Sequence, residues 1–192
     1  SFFLPLDRVS RALQLIQEEQ PVTRGGLLAT FERKPYPEAI RLGLSEDEEV
    51  AFRKAFPERD GVLVIKQIVP AGPLSGVAQV GDIVLALNDQ RLSDFVTLDA
   101  ILDAHVGDTV ALRLQRDGQV IEANVTVADL HAVSPDVLIE GCDAVFNDLS
   151  YQVARHYMIP VRGVNIASSG YCFDRAGVFR GNVITAIDEK PV

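Results

Sequence analysis

One block of this sequence occurs twice. Gly81-Asp82-Ile83-Val84-Leu85-Ala86-Leu87-Asn88 returns as Gly181-Asn182-Val183-Ile184-Thr185-Ala186-Ile187-Asp188, at an offset of 100. Upstream, Gly61-Val62-Leu63-Val64 matches Gly163-Val164-Asn165-Ile166 at an offset of 102, and Ile40-Arg41 resembles Ala154-Arg155 at an offset of 114. Self-similarity at this spacing means that one supersecondary unit is built twice. The jump in offset marks an insertion in the first copy, and the acidic segment 45–57 accounts for it. The units therefore run over 22–128 and 138–192, with 1–21 ahead of them and 129–137 as a linker. The second copy is short: it has no counterpart of the helix 94–104 or the hairpin 109–127.

Around the repeated blocks the hydrophobic period switches between helix and strand. Phe2-Phe3-Leu4-Pro5 reads as a short strand-like piece. Leu6, Val9, Leu13 and Ile16 then recur at helical spacing, opposite Arg8, Arg11, Gln14 and Glu18, so an amphipathic helix runs toward Pro21. Arg24-Gly25-Gly26-Leu27-Leu28-Ala29-Thr30-Phe31 is, on its residues alone, a glycine turn leading into a buried strand. Pro37 to Leu42 forms a short helix closed by Gly43. Ser45 with Glu48 makes a capping box, and the acids at 46–49 with Arg53-Lys54 at the far end suit the helix dipole. The acidic run is read as a solvated helix face rather than a binding tail.

From Gly61 to Ile65 the run is β-branched, and Pro70-Ala71-Gly72-Pro73 interrupts it. Leu74 to Ala78 is a short helical turn at most. Ser93 is expected to cap the next helix, which carries Phe95, Leu98 and Leu102 on one face and is closed by Gly107. Val110, Leu112 and Leu114 alternate with polar neighbours, Asp117-Gly118 supplies a tight turn, and Ile121, Ala123, Val125 and Val127 return as a hairpin.

Composition limits what such a chain can bind. Lys and Arg total 18 against 27 Asp and Glu, a net charge of -9. An acidic surface repels phosphate backbones and anionic headgroups, so neither nucleic acid nor membrane is expected as a partner. With 47% apolar residues in 192, a core forms without staples. The apolar runs fall far short of the roughly 20 residues that span a bilayer. Ser1-Phe2-Phe3-Leu4-Pro5 does not read as a secretory leader, and the missing Met reads as an internal piece of a longer chain. Cys142 and Cys172 lack metal-like spacing and read more readily as free thiols than as a disulfide. His105, His131 and His156 are scattered, so no zinc site and no other cofactor is expected.

Ala71-Gly72-Pro73 followed by Val80-Gly81-Asp82-Ile83-Val84-Leu85-Ala86-Leu87-Asn88, in register with the hairpin and the repeat, resembles a PDZ domain of the HtrA/Deg protease type. Phe2 to Arg8 followed by Pro21-Val22-Thr23-Arg24-Gly25 resembles the junction between a trypsin-like domain and its first PDZ domain. Leu130 to Asp136 and Asp148 to Arg155 resemble the large, double-length subgroup, nuclear and pro-apoptotic in fungi and of the chloroplast in plants. The resemblance implies an α+β fold of tandem PDZ-like, partly open β-barrels with flanking helices, the second truncated. Residues 1–21 would then be the end of an upstream protease domain and a linker helix. The compartment would be nucleus or cytoplasm for the fungal type and chloroplast for the plant type.

A trypsin-like mechanism needs a serine beside an oxyanion hole, a histidine base and an orienting aspartate. The family's Gly-Asn/Asp-Ser-Gly-Gly signature is absent, and Ser75-Gly76 is the nearest fragment. Asp103 and His105, two apart at a helix end, diverge. No catalytic residue is expected here, and catalysis would belong upstream of Ser1. The resemblance instead implies peptide binding by strand addition at a sheet edge, with a C-terminal carboxylate held by backbone N–H groups. The capturing loop would be Arg24, Gly25, Gly26, Leu27, Leu28 and Ala29. Leu27, Ala29 and Phe31 would line one side of the groove, and Phe95, Leu98 and Leu102 the other. These apolar residues are equally what a core would use.

Leu28 stands where such loops carry glycine. A side chain resists φ > 0, so a reshaped loop is expected. The second copy's loop, near Gly141-Cys142-Asp143-Ala144, places Asp143 where it would repel a carboxylate. The expected partners are peptides or unfolded protein segments and the protease domains of the parent chain, with a homo-oligomer left open. The alternative is an assembly module that packs on protease domains or subunits and binds no free peptide. In the short second copy, apolar residues of 183–187 and a strand edge should face solvent unless they lean on the first unit, on residues 1–20 or on another chain.

Overall fold

The computed structural model describes residues 6–192, which form two compact units. The first takes the chain to Asp129 apart from 69–72; the second takes those four residues and 130–192. The strand-like reading of Phe2-Phe3-Leu4-Pro5 lies outside the described residues.

The first unit runs α1 (Asp7–Gln17), β1 (Gly25–Gly26), β2 (Ala29–Pro35), α2 (Tyr36–Arg41), α3 (Glu46–Ala55), β3 (Gly61–Ile68), β4 (Ile83–Leu87), β5 (Gln90–Arg91), α4 (Phe95–Ala104), β6 (Thr109–Arg116), β7 (Gln119–Thr126) and β8 (Ala128–Asp129). The main sheet is antiparallel in the order β2-β3-β4-β6-β7, with β5 beside β4, and β1 pairs separately with β8. This leaves β2 at an edge. Side chains alternate across a strand, so β3 serves two cores. Leu63 and Ile65 join the core that contains Leu27, Leu98 and Leu102, while Val62 and Val64 join Tyr36, Phe52 and Leu85. The β6–β7 hairpin closes through Asp117 and Gly118 at φ 48° and 78°, the positive angles that a two-residue turn between right-twisted strands requires.

Two helix readings change. Ser45 does cap α3, its Oγ accepting the Glu48 N–H. Glu48 itself, however, is buried and pairs with Arg91 at 2.5 Å and Arg113 at 3.3 Å, while Glu46 and Asp47 stay exposed. The reason is spacing: Glu48 shares the inward face with Phe52, four residues on. The cap of α4 is Asp94, whose Oδ1 accepts the Thr97 N–H at 2.9 Å, rather than Ser93, which is buried with no partner for its hydroxyl among the described residues.

The second unit runs β9 (Leu138–Gly141), β10 (Ala144–Asp148), α5 (Tyr151–Tyr157), β11 (Val164–Ser168), α6 (Gly170–Arg175), β12 (Val183–Ile184), β13 (Ala186–Ile187) and β14 (Lys190–Pro191). Its antiparallel sheet has the order β12-β11-β10-β9. The repeat is present in the hydrogen bonds. Gly81 donates to the Ile65 carbonyl and Ile65 to that of Asp82, at 2.8 and 2.9 Å; Gly181 donates to Ile166 and Ile166 to Asn182, at 2.8 and 3.0 Å. Asn88-Asp89 and Asp188-Glu189 make the same positive-φ turn.

The ladders correct one offset. Leu63 pairs with Val84 and Val164 with Ile184, so these strand copies lie 101 residues apart, not 102. Gly61 and Gly163 are therefore not equivalent, and each is glycine for its own reason. A Cβ on Gly61 would sit 2.1 Å from the Lys34 carbonyl oxygen, whereas Gly163 has φ 100°. On the last paired strands Val183 and Ile184 are half-buried and Ile187 is exposed.

Candidate peptide-binding site

The site begins where β1 ends. Leu27 and Leu28 link the β1–β8 pair to the main sheet, and neither belongs to a strand. Leu28 has φ 48° and is buried. The expected reshaping of the loop does not occur at this bond: the leucine adopts the left-handed conformation that glycine takes without cost. Burial of its side chain offsets a left-handed penalty of about 1–2 kcal/mol. From Ala29 the chain enters β2, which among the described strands pairs with β3 and has no strand along the other edge of 30–35.

Helix α4 stands against this loop at van der Waals limits. A Cβ on Gly25 would fall 2.0 Å from the Leu102 carbonyl oxygen, so glycine is what permits the approach. Asp103 fixes it. Its Oδ1 accepts the Gly25 N–H at 2.8 Å, and its backbone oxygen accepts from Thr23 Oγ1 at 2.6 Å and Arg11 at 2.9 Å. Arg24 Nε lies 3.7 Å from the Asp103 carboxylate, and Arg8 bridges Asp99 at 2.7 Å and reaches Asp103 at 3.8 Å. The Arg24 charge, assigned to the capturing loop from sequence, is thus engaged with Asp103. Burial pushes the Asp99 carboxyl above its ordinary range, while Arg8 pulls it down. Sequence reading passed over Asp99 and Asp103 as site-forming residues. The signal was there: two acids, four apart on one face in the C-terminal half of a helix, oppose both each other and the dipole. That arrangement needs cations nearby.

The expected groove residues divide. Leu27, Leu98 and Leu102 are core, the latter two 2% and 3% exposed. Ala29 and Phe31 are half-buried at the margin of that core, and Phe95 is 43% exposed at the start of α4. Of these residues, Phe31 and Phe95 have apolar surface left to offer, and Leu98 does not. His105 Nδ1 donates to the Ile101 carbonyl within its own helix, which accounts for that histidine.

In the second unit, β10 occupies the place of β2: it pairs antiparallel with the next strand and precedes a short helix. Its other edge is taken. Leu138 pairs with Asn147, Ile139 with Phe146, Glu140 with Val145 and Gly141 with Ala144. Cys142 and Asp143, at φ 53° and 60°, make a tight hairpin turn instead of an open loop.

Two units with this connectivity define a class of protein, a tandem PDZ chain. A PDZ domain model matches residues 42–127, and a PDZ-like domain model matches 132–192. The chain is homologous to the fungal pro-apoptotic serine protease NMA111. It is 47% identical to that of Candida glabrata over 173 residues and 46% identical to that of Eremothecium gossypii over 192, covering 90% and 99% of this chain. It spans only 18% and 20% of those relatives. Among solved structures, an HtrA-type protease AlgW with decapeptide matches over 66% of this chain and 35% of its own, at 21% identity and a TM-score of 0.48. The serine endoprotease of Yersinia pestis matches at 21% identity and a TM-score of 0.42, over 68% of this chain and 38% of its own. The chain belongs to the family of the NMA111 proteins and carries PDZ domains.

Proposed function

We propose that the first unit binds extended apolar peptide segments, C termini among them, and presents them to a protease domain elsewhere in the parent chain. The peptide adds as an antiparallel strand to the edge of β2, where main-chain hydrogen bonds provide affinity and Phe31 and Phe95 select apolar side chains. The observation that carries this reading is the contrast between the two units. β9 fills that edge in the second, whereas among the described residues no strand pairs along the outer edge of 30–35 in the first, so the same sheet geometry accepts one more strand there. The Leu27-Leu28 link, outside both ladders and turned by the positive φ of Leu28, lies where a terminal carboxylate would arrive.

The test is a titration of the full chain with a fluorescent hydrophobic C-terminal peptide and its amidated twin. Micromolar binding that weakens on amidation supports carboxylate capture. Equal affinity of the two supports strand addition alone, and no binding of either removes the reading.

A second reading rests on α1. Leu6, Val9, Leu13 and Ile16 are 55–70% exposed on one face, while Arg8 and Arg11 of the opposite face dock on α4 and Thr23. An outward apolar stripe suits an assembly role, in which the region packs on a protease domain. Retained peptide affinity in a variant with Leu13 and Ile16 changed to Lys would separate that role from peptide binding.

A further inference from the structure

The second unit brings together its two cysteines, 30 positions apart in sequence. Cys142 opens the two-residue turn between β9 and β10. Helix α6 starts against that same turn. A Cβ on Gly170 would lie 2.3 Å from the Asp143 carbonyl carbon, so a glycine with φ 57° is what lets the helix begin there. One turn along, the Phe173 ring packs edge-on against Phe146 of β10, with centroids 5.2 Å apart. Cys172 lies between these two anchor points in sequence, close to the turn that Cys142 opens. Its thiol is held above the ordinary range, first by its interaction with Cys142, then by partial desolvation and by the charge of Asp143. Both cysteines are unbonded and exposed.

Exposed cysteine is a liability on a protein surface, and two neighbouring thiols on separately anchored elements are an arrangement that oxidation can close. We propose that Cys142 and Cys172 form a reversible oxidation site that reacts with peroxides. The Cys142 thiolate attacks one peroxide oxygen; the O–O bond breaks, the S–O bond forms, and hydroxide leaves to be protonated to water. The Cys172 sulfur then attacks the sulfenic sulfur. Its proton and the sulfenic hydroxyl depart as a second water, and the S–S bond forms. Two thiols and one hydrogen peroxide become one disulfide and two waters, the sulfurs oxidised and the peroxide reduced. Cys172, anchored on α6, serves as the resolving partner of the turn cysteine. The bond staples the hairpin turn to α6 and so fixes β9 on the edge of β10. An external dithiol reverses it by exchange.

The experiment uses the full chain, fully reduced, at low micromolar concentration with one equivalent of hydrogen peroxide. The expected product is a monomer lighter by two hydrogens, with a single cross-linked peptide joining Cys142 to Cys172 and both thiols recovered after dithiothreitol. Cys172→Ser should stop at a sulfenic acid on Cys142 that dimedone traps. Amides of 138–141 should exchange several-fold more slowly in the oxidised protein than in the reduced one. Disulfide-linked dimers, independent sulfinic acids on the two cysteines, or unchanged exchange at 138–141 would overturn the proposal. Phenylarsine oxide gives a measurement that needs no variant. One arsenical bridging both thiols is expected, and two separate adducts would count against the pair.

Discussion

Asp103 Oδ1 accepts the Gly25 N–H at 2.8 Å, tying the last turn of α4 to the start of the loop that leads into β2, 78 positions upstream. Helix α4 and the loop are thus one mechanical piece. The cations Arg8 and Arg24 converge on the same buried carboxylate. Asp103→Ala would strand the Gly25 N–H and take the carboxylate from Arg24, while Arg8 keeps Asp99, at about 2–3 kcal/mol. Asp103→Asn keeps an acceptor and should cost less. Urea midpoints of the first unit should therefore fall in the order wild type, Asn, Ala. Peptide affinity should follow the same order, because the loop loses its anchor. An affinity unchanged in Asp103→Ala would mean that the loop is held by Thr23 and Leu102 alone.

Leu98 and Phe95 share a helix face in sequence but not a role. Leu98 is core, so Leu98→Ala should destabilise by about 3 kcal/mol, and a loss of binding in a charged Leu98 variant would report unfolding. Phe95→Ala removes a half-exposed ring. It should leave the urea midpoint within about 0.5 kcal/mol of wild type. Peptide affinity should fall about tenfold, near 1.4 kcal/mol. A Phe95→Ala protein that binds as wild type would move the groove away from α4.

How far the sequence disclosed this architecture depends on the range of the interaction. The hairpin at Asp117-Gly118, the Ser45 cap of α3 and the doubled Gly81–Asn88 block are local, and each is legible within a few residues. The other half of the capping box is not made, because the Ser45 N–H donates to Gln115 Oε1 and the Glu48 carboxylate turns to Arg91 and Arg113. The loop 24–28 was legible only as a pattern, because its geometry is set by Asp103 and Leu102 from another element. Leu28 is the sharpest instance. Its side chain argues against positive φ, and only burial, which a sequence does not display, outweighs that preference. The filling of the β10 edge by β9 was likewise hidden: 138–141 is too short and too exposed to announce itself as a strand.

Asp82 and Asn182 offer a natural comparison within one chain. Asp82 accepts the Gln79 N–H at 2.8 Å and holds Arg116 bidentately at 2.7 Å and 2.7 Å; Asn182 makes the matching turn bond to Phe179 at 2.7 Å. Asp82→Asn should keep the turn and lose the ion pair, costing about 1–2 kcal/mol, whereas Asp82→Ala loses both and should cost about 3 kcal/mol. Thermal or urea unfolding checks the order. Equal losses for the two variants would show that the turn bond contributes nothing.

Tyr36 gives the first unit a signature in alkali. Its ring is packed in the core with Phe52, and the Arg53 guanidinium lies 4.1 Å above the ring centroid. Its hydroxyl is buried with no hydrogen-bond partner among the described residues. An unpaired buried hydroxyl costs free energy. Tyr36→Phe should therefore match wild type near pH 7 or exceed it by up to about 1 kcal/mol. The pH dependence has a definite sign. Burial raises the phenol in the folded state, against the smaller opposing pull of Arg53. A folded-state value above the unfolded one contributes stability that is fully present below about pH 10 and is lost as pH rises through the folded value. Wild type should accordingly weaken relative to Tyr36→Phe as pH climbs above about 10, because unfolding releases the phenol to ionise. Urea unfolding of both proteins at neutral and alkaline pH makes the comparison. Parallel curves across that range would mean that the Tyr36 hydroxyl reaches water in the folded state.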